Sequence, residues 1–298
     1  MDRQPSWEPA TGSGIEIRWI EANGLTFEVA QAGEGEHLAL CLHGFPELHY
    51  SWRHQIPLLV QKGYRVWAPN MRGYGGTDRP GDMRDYALDR LTQDVAALID
   101  ASGARTVTLI AHDWGAIVAW IFAILEIRHL ERLVIMNVPH PMPAAREIRR
   151  WRQIRKSWYI FFFQLPRLPE KLLGRKDGKA VGQLFAKTAS NPEQFGPEVQ
   201  AVYNAAAARP GARKAMIDYY RALLRHQGAV DPGDYRVDIP TLMVWGEEDV
   251  AIDIHCTIGT EKWVSDLTLE RLPGVSHWVQ QDAPEQVNRV LMDWLPDA

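Results

Sequence analysis

The stretch TVTLIAHDWGAIVAWIFAIL (residues 106–125) decides how this chain folds. TVTLI is a short apolar run of the kind that fills a buried strand, and IVAWIFAIL continues it as a helix. Between them AHDWGA (111–116) reads as a sharp turn flanked by small residues. Turns of this kind often raise a serine nucleophile above the end of a sheet. Here the central residue is Asp113. A carboxylate in that place implies a chemistry in which a hydroxyl would fail.

Outward from this elbow, short apolar segments alternate with longer helical ones. IEIRWIEA and LTFEVAQAG read as a hairpin around Asn23-Gly24, a strong turn pair. HLALCLHG, YRVWAPN, TVTLIAHD and LERLVIMNV are near-continuous apolar runs, the pattern of central parallel strands. Helical stretches are expected near 86–101 and 115–126. After Pro139 the strand signal stops. Residues 141–231 read as helical, rich in Arg, Ala and aromatic side chains. Strands resume with PTLMVWG and LTLERLPG, and a helix over 283–295 closes the chain. The expectation is an α/β core over 15–140 and 232–298 with a mostly parallel eight-stranded sheet and flanking helices. A helical cap over 141–231 is inserted between the sixth and seventh strands. Residues 1–14 are polar and read as a flexible tail.

Composition narrows the function classes. A charged fraction of 23% and an apolar fraction of 46% are those of an ordinary globular chain. A net charge of −4 gives no reason to expect nucleic acid or an anionic membrane as partner. IVAWIFAIL is too short to span a bilayer, and Glu126 and Arg128 follow it. The amino terminus lacks the apolar region of a signal peptide. Cys41 and Cys256 do not make a disulfide framework, so a cytoplasmic location is expected. Cys41, inside LALCL, reads as a small buried hydrophobe. No Cys/His spacing suits a metal, and RGYGG (72–76) lacks dinucleotide-binding spacing and reads as a turn. Neither metal nor cofactor is expected. The basic run REIRRWRQIRK (146–156) reads as a solvated helix face, with anion steering as the alternative. The oligomeric state is left open, a homodimer included.

Ligands of open α/β sheets bind beyond the carboxyl ends of the strands. After LALCL comes HGFPE (43–47); after TLMVW comes GEEDVAI (246–252); after LTLERL comes PGVSHW (273–278). With the elbow, these supply Asp113, Asp249 and His277, in the order nucleophile, acid, histidine of one convergent triad. Plainer alternatives stand beside each. Asp113 could be a helix N-cap, Asp249 a turn residue with Glu247 and Glu248 as neighbouring acids, and His277 a structural loop residue. His43 and His112 read as shaping their turns rather than moving protons.

Taken together, HGFPE, RGYGGTDRP, HDWGA, GEEDVAI and GVSHW resemble the α/β-hydrolase superfamily, and within it the epoxide hydrolases. The likeness runs from about residue 15 to the end. WYIFFFQLP (158–166) and DYYRALL (218–224) resemble the two cap-tyrosine motifs, which implies roles for Tyr159 and Tyr220; Tyr219 competes for the second, and core packing is the plainer alternative for each. The resemblance implies an α/β-hydrolase fold and cofactor-free hydrolysis of a small apolar epoxide, with water, to a vicinal diol. Asp113 would attack a saturated ring carbon and form an ester; a serine would be trapped as an ether. His277, oriented by Asp249, would activate water against that ester. The backbone N–H groups of Phe45 and Trp114 would hold the oxyanion, and the two phenols would protonate the opened ring oxygen. Phe45, Trp114 and Trp158 would wall an apolar pocket. The same nucleophile serves haloalkane dehalogenases, but those usually place a side-chain donor such as Asn where Phe45 stands. Fluoroacetate-type dehalogenases prefer Arg to Trp114. A non-catalytic binding protein on this fold would be expected to have lost members of the triad.

Overall fold

Alternation within β3 (His37–Leu42) shows how the layers are built. Leu38, Leu40 and Leu42 face one apolar cluster, and Ala39 and Cys41 face another. A strand places successive side chains on opposite faces, so a run apolar at every position must be covered on both sides. Helices Leu88–Ser102 and Trp114–Ile124 cover the leucine side; Ile56–Gln61 and Pro284–Trp294 cover the other. The computed structural model describes residues 3–175, 179–226 and 233–298.

The other strands are β1 (Glu16–Ala22), β2 (Leu25–Ala32), β4 (Arg65–Pro69), β5 (Thr106–His112), β6 (Arg132–Met136), β7 (Thr241–Gly246) and β8 (Leu267–Leu272). One sheet holds all eight in the order β1-β2-β4-β3-β5-β6-β7-β8. The β1–β2 and β2–β4 pairings are antiparallel, and the rest of the sheet is parallel. This is an alpha/beta hydrolase sheet.

Between β6 and β7 lie seven α-helices among the described residues. The expected boundary at 231–232 falls outside the described residues. Helix Ala212–Arg225 buries Tyr219 and Tyr220. The Tyr220 ring meets those of Trp114 and Phe45 edge-on at 5.0 and 5.2 Å, which sets this helix over the end of β5. Helix Trp151–Lys156 is clipped to the loop after β7. The Gln153 amide donates to the Ala251 carbonyl (3.0 Å) and accepts from the Asp253 N–H (2.8 Å), and Lys156 donates to the Asp249 carbonyl (2.6 Å).

Within the segment read as a flexible tail, Arg3, Ser6 and Trp7 find partners on the core. Arg3 pairs with Asp78 at 2.8 Å, Trp7 packs edge-on to Tyr50 at 5.0 Å, and Ser6 hydrogen-bonds the buried Glu28. A polar segment shows no periodicity, so one aromatic and one hydroxyl that find buried partners leave no mark in the sequence. Glu28 also accepts from the Asn70 amide (2.7 Å) and the Gly76 N–H (2.5 Å) and lies 3.4 Å from His49. Burial works to raise its pKa. The hydrogen bond and charge of His49, with the Ser6 and Gly76 N–H groups, outweigh this and bring it down to about 2. A depressed carboxyl contributes stability that is present above its unfolded pKa, roughly 4.3, and is lost as pH falls through the folded value. Glu28→Gln is therefore expected to cost about 3 kcal/mol in urea unfolding at neutral pH, and distinctly less at pH 3. Equal urea midpoints for variant and parent at neutral pH would show that Glu28 does not hold this corner together.

Candidate active site

Asp113 occupies a backbone conformation few residues tolerate, with φ 47° and ψ −120°. Two glycines make room for it. A Cβ on Gly44 would lie 2.2 Å from the Asp113 Cβ, and one on Gly115 would lie 2.3 Å from the Leu42 carbonyl oxygen. The tight turn carries the Asp113 carboxylate beyond the end of β5, where its Oδ1 accepts the Phe45 N–H at 2.6 Å. The Trp114 N–H opens helix Trp114–Ile124 and is one of the orphan donors of its first turn.

His277 lies between two carboxylates. Its Nδ1 is 2.6 Å from Asp249 Oδ2, and its Nε2 is 3.5 Å from Asp113 Oδ2. Asp249 Oδ1 accepts the N–H groups of Ala251 (2.7 Å) and Ile252 (2.8 Å). Burial would raise both carboxyls and lower the imidazole. The mutual charges and hydrogen bonds win. Asp113 and Asp249 are held below the ordinary carboxylate value, and His277 is pushed up to about 10, chiefly by Asp249. At neutral pH the group is an imidazolium clasped by two carboxylates.

Asn137, not singled out from the sequence, completes this cluster. It follows β6 with φ 50° and donates to Asp249 Oδ2 at 2.8 Å, while its Oδ1 accepts the Gly246 N–H at 2.8 Å. The available signal was an Asn, tolerant of left-handed backbone, directly after a strand end.

A second buried layer lies beneath. Glu47 Oε2 accepts the Gly44 N–H (3.0 Å) and meets His112 Nδ1 (2.7 Å); His112 Nε2 donates to the His277 carbonyl (2.8 Å). Glu47 Oε1 accepts from Gln280 and Gln281. The loop carrying Phe45 and the loop carrying His277 thus share one carboxylate. His43 accepts the Met71 N–H through Nε2, and burial lowers its pKa to about 4, so it is neutral.

Tyr159 and Tyr220 face each other with ring centroids 5.8 Å apart. Tyr219 instead donates its hydroxyl to the Arg72 carbonyl at 2.8 Å, and it is Tyr220 that lines the two cavities at Asp113. Burial and then the Asp113 charge raise both the Tyr159 and Tyr220 phenols well above their ordinary value, so they stay protonated. Two cavities, about 320 and 360 Å³, share Asp113, Tyr159 and Tyr220 in their walls. The first is walled mainly by apolar groups such as Trp114, Ile117, Trp120 and Val138, with Gln153 and Ser157 also in its lining. The second has Phe45, Phe163, His277 and Trp278, with the 62%-exposed Trp158 at its outer edge. Among the described residues, no group of His, Cys, Asp and Glu could hold a metal ion, and no helix is long and apolar enough to cross a membrane.

This architecture has well-described counterparts. Residues 40–284 match the family model of the alpha/beta hydrolase fold. The chain is 35% identical to mouse Epoxide hydrolase 4 over 97% of its own length and 81% of that protein's. It is 34% identical to Caenorhabditis elegans Epoxide hydrolase 1 over 99% and 74% of the two chains. The crystal structure of Epoxide Hydrolase A from Mycobacterium thermoresistibile superposes with a TM-score of 0.82 at 30% identity, covering 94% of this chain and 98% of that one. With a buried Asp–His–Asp cluster at the sheet's edge and relatives of this similarity over nearly the whole chain, the protein belongs to the epoxide hydrolases, enzymes of the alpha/beta hydrolase fold.

Proposed function

We propose that the enzyme opens its epoxide with the Asp113 carboxylate and then hydrolyses the aspartyl ester to release a vicinal diol. One observation carries this reading: Asp113 and the Tyr159 and Tyr220 phenols meet where two apolar cavities join, with His277 at the Asp113 carboxylate. Asp113 attacks one ring carbon from behind, the carbon–oxygen bond breaks, and a phenol proton passes to the alkoxide. The proton that restores the phenol comes from the His277 imidazolium. Esterification also removes the Asp113 charge, one of the two that hold His277 protonated. The imidazole is thereby left neutral, ready to act as a base.

Water then attacks the ester carbonyl as His277 takes its proton, with Asp249 and Asn137 fixing the ring. The N–H groups of Phe45 and Trp114 receive the oxyanion. On collapse the departing diol oxygen takes the imidazolium proton. The freed Asp113 carboxyl reprotonates His277, and the resting charges return. Cavities on both sides of Asp113 favour an oxirane with an apolar substituent on each carbon, with the helical segment over 141–231 acting as the cap.

The decisive experiment is intact-protein mass spectrometry after mixing with an aryl or alkyl epoxide. His277→Gln keeps the nucleophile and lacks the base, so it is expected to gain one substrate mass, mapping to Asp113. Asp113→Ala is expected to gain nothing. A His277→Gln enzyme that is inactive yet never carries an adduct would overturn the covalent mechanism. Chloride release from haloalkanes in place of diol from styrene oxide would point to a dehalogenase.

The phenols act in the first step only. Tyr159→Phe or Tyr220→Phe is expected to slow ring opening and leave ester hydrolysis unchanged in rapid-mixing kinetics. The double variant is expected to lose about two to four orders of magnitude. Full activity in the double variant would remove both residues from the mechanism.

The charge state has a signature in stability. A histidine whose folded pKa is raised contributes stability that is complete below its unfolded pKa, roughly 6.5, and is lost as pH rises through the folded value. With His277 at about 10, parent stability is expected to fall more between pH 7 and pH 10 than that of His277→Gln. Parallel urea-unfolding curves across this range would show that the ion cluster is not formed at rest.

A further inference from the structure

Helices Trp151–Lys156 and Trp158–Phe162 run on with only Ser157 between them. Their inward side carries Gln153, Ser157 and Phe163, all buried. Their outward side is also apolar. Trp151, Ile154, Trp158 and Phe161, continued by Leu165 and Leu168, recur at spacings of three and four residues. All six are exposed, by 39% to 72%. From Trp151 to Phe161 this is the spacing of an amphipathic helix, with its second apolar stripe turned to solvent. The loop after β7 extends the patch with the exposed Val250 and Ile258, held alongside by hydrogen bonds from Lys156 to the Asp249 carbonyl and from Arg146 to the Ile258 carbonyl. Contiguous apolar surface of this kind marks an interaction site.

The charges around the stripe narrow the partner. Arg146 and Arg152 are neutralised by Glu147, and Lys156 lies 3.7 Å from Asp253. The exposed side chains of Arg149, Arg150, Arg155, Arg167 and Lys171 have no ion-pair partner among the described residues. A net charge of −4 for the whole chain conceals this local excess of cations. Two copies meeting through this face would bring their unpaired cations together. Anionic lipid headgroups would pair with them, while Trp151 and Phe161 entered the acyl boundary.

We infer that this face of the helical segment docks the enzyme on anionic lipid bilayers. The entrances to the cavities agree with that orientation. Trp158 belongs both to the stripe and to the second cavity, and the 42%-exposed Ile148 lines the first. An apolar epoxide dissolved in the bilayer would meet both cavities at the docked surface; this last step rests on the epoxide reading, and docking itself does not.

The test is co-sedimentation of the full chain with vesicles of phosphatidylcholine alone, and with vesicles containing one quarter phosphatidylserine, at low and raised salt. Binding to the serine-containing vesicles is expected, weaker at raised salt, with a blue shift of tryptophan emission that Trp151→Ser reduces. Trp151→Ser with Phe161→Ser is expected to lower partitioning by more than about tenfold. Arg149→Ala, Arg150→Ala and Arg155→Ala are expected to cost roughly fivefold each. None of these positions lines either cavity at Asp113, so turnover of a water-soluble epoxide should match the parent. Protein that stays in the supernatant with both vesicle types overturns the proposal, as does equal binding by parent and variants. A dimer in sedimentation velocity that Trp151→Ser dissociates also overturns it, because the stripe would then face a second copy. Binding is read without turnover, so a failure of docking and a failure of the proposed chemistry are told apart.

Discussion

The close approach of Gly44 to Asp113, and of Gly115 to Leu42, governs this molecule. Asp113 can hold a positive φ at the end of β5 only because neither glycine carries a Cβ. Strained backbone persists where the surroundings over-determine it, and here they do so twice. The Phe45 N–H grips the Asp113 carboxylate from one side, and the Gly115 N–H donates to the His43 carbonyl from the other. One turn thus fixes the carboxylate, the first helical N–H and the HGFPE loop relative to one another. The second acid and the histidine then arrive from beyond the ends of β7 and β8, two and three strands away in the same sheet.

Much of this was legible because parallel sheets concentrate function at strand ends. Each apolar run was long enough to name its strand, the loops beyond the strand ends offered Asp113, Asp249 and His277 among their polar residues, and the family resemblance singled out Asp249 over Glu247 and Glu248. The hairpin at Asn23-Gly24 and the helical stretch between β6 and β7 were equally plain, for composition and periodicity change there together. The choice between Tyr219 and Tyr220 was not. Adjacent helical residues point about 100° apart, and only the packing of Ala212–Arg225 on the core says which side is the cavity. Asn137 was hidden for another reason. Its partners, Gly246 and Asp249, lie more than a hundred positions away, and an Asn after a strand has many ordinary uses. The docking of the amino terminus depends on Glu28, a charged residue inside a strand that looks half-exposed by alternation yet is fully buried.

The site is also more deeply wired than its chemistry requires. Glu47 bonds to Gly44, His112, Gln280 and Gln281 while fully buried. A buried carboxylate is costly unless each lone pair is satisfied, and this one is. Its effect is to tie the loop after β3 to the residues flanking His277, two segments more than two hundred positions apart. In the proposed mechanism one oxyanion donor, Phe45, and the base belong to those two segments, so their spacing is set from below and not by substrate.

The Gln153 clip bears on how such a site can breathe. Through Gln153 and Lys156, helix Trp151–Lys156 is bonded to the backbone of Asp249, Ala251 and Asp253. Lifting that helix from the sheet would pull on the loop whose N–H groups orient the Asp249 carboxylate. This edge of the helical segment is therefore fixed to the core like a jamb. Any opening of the chamber that leaves this helix seated leaves the Asp249 carboxylate held by the Ala251 and Ile252 N–H groups.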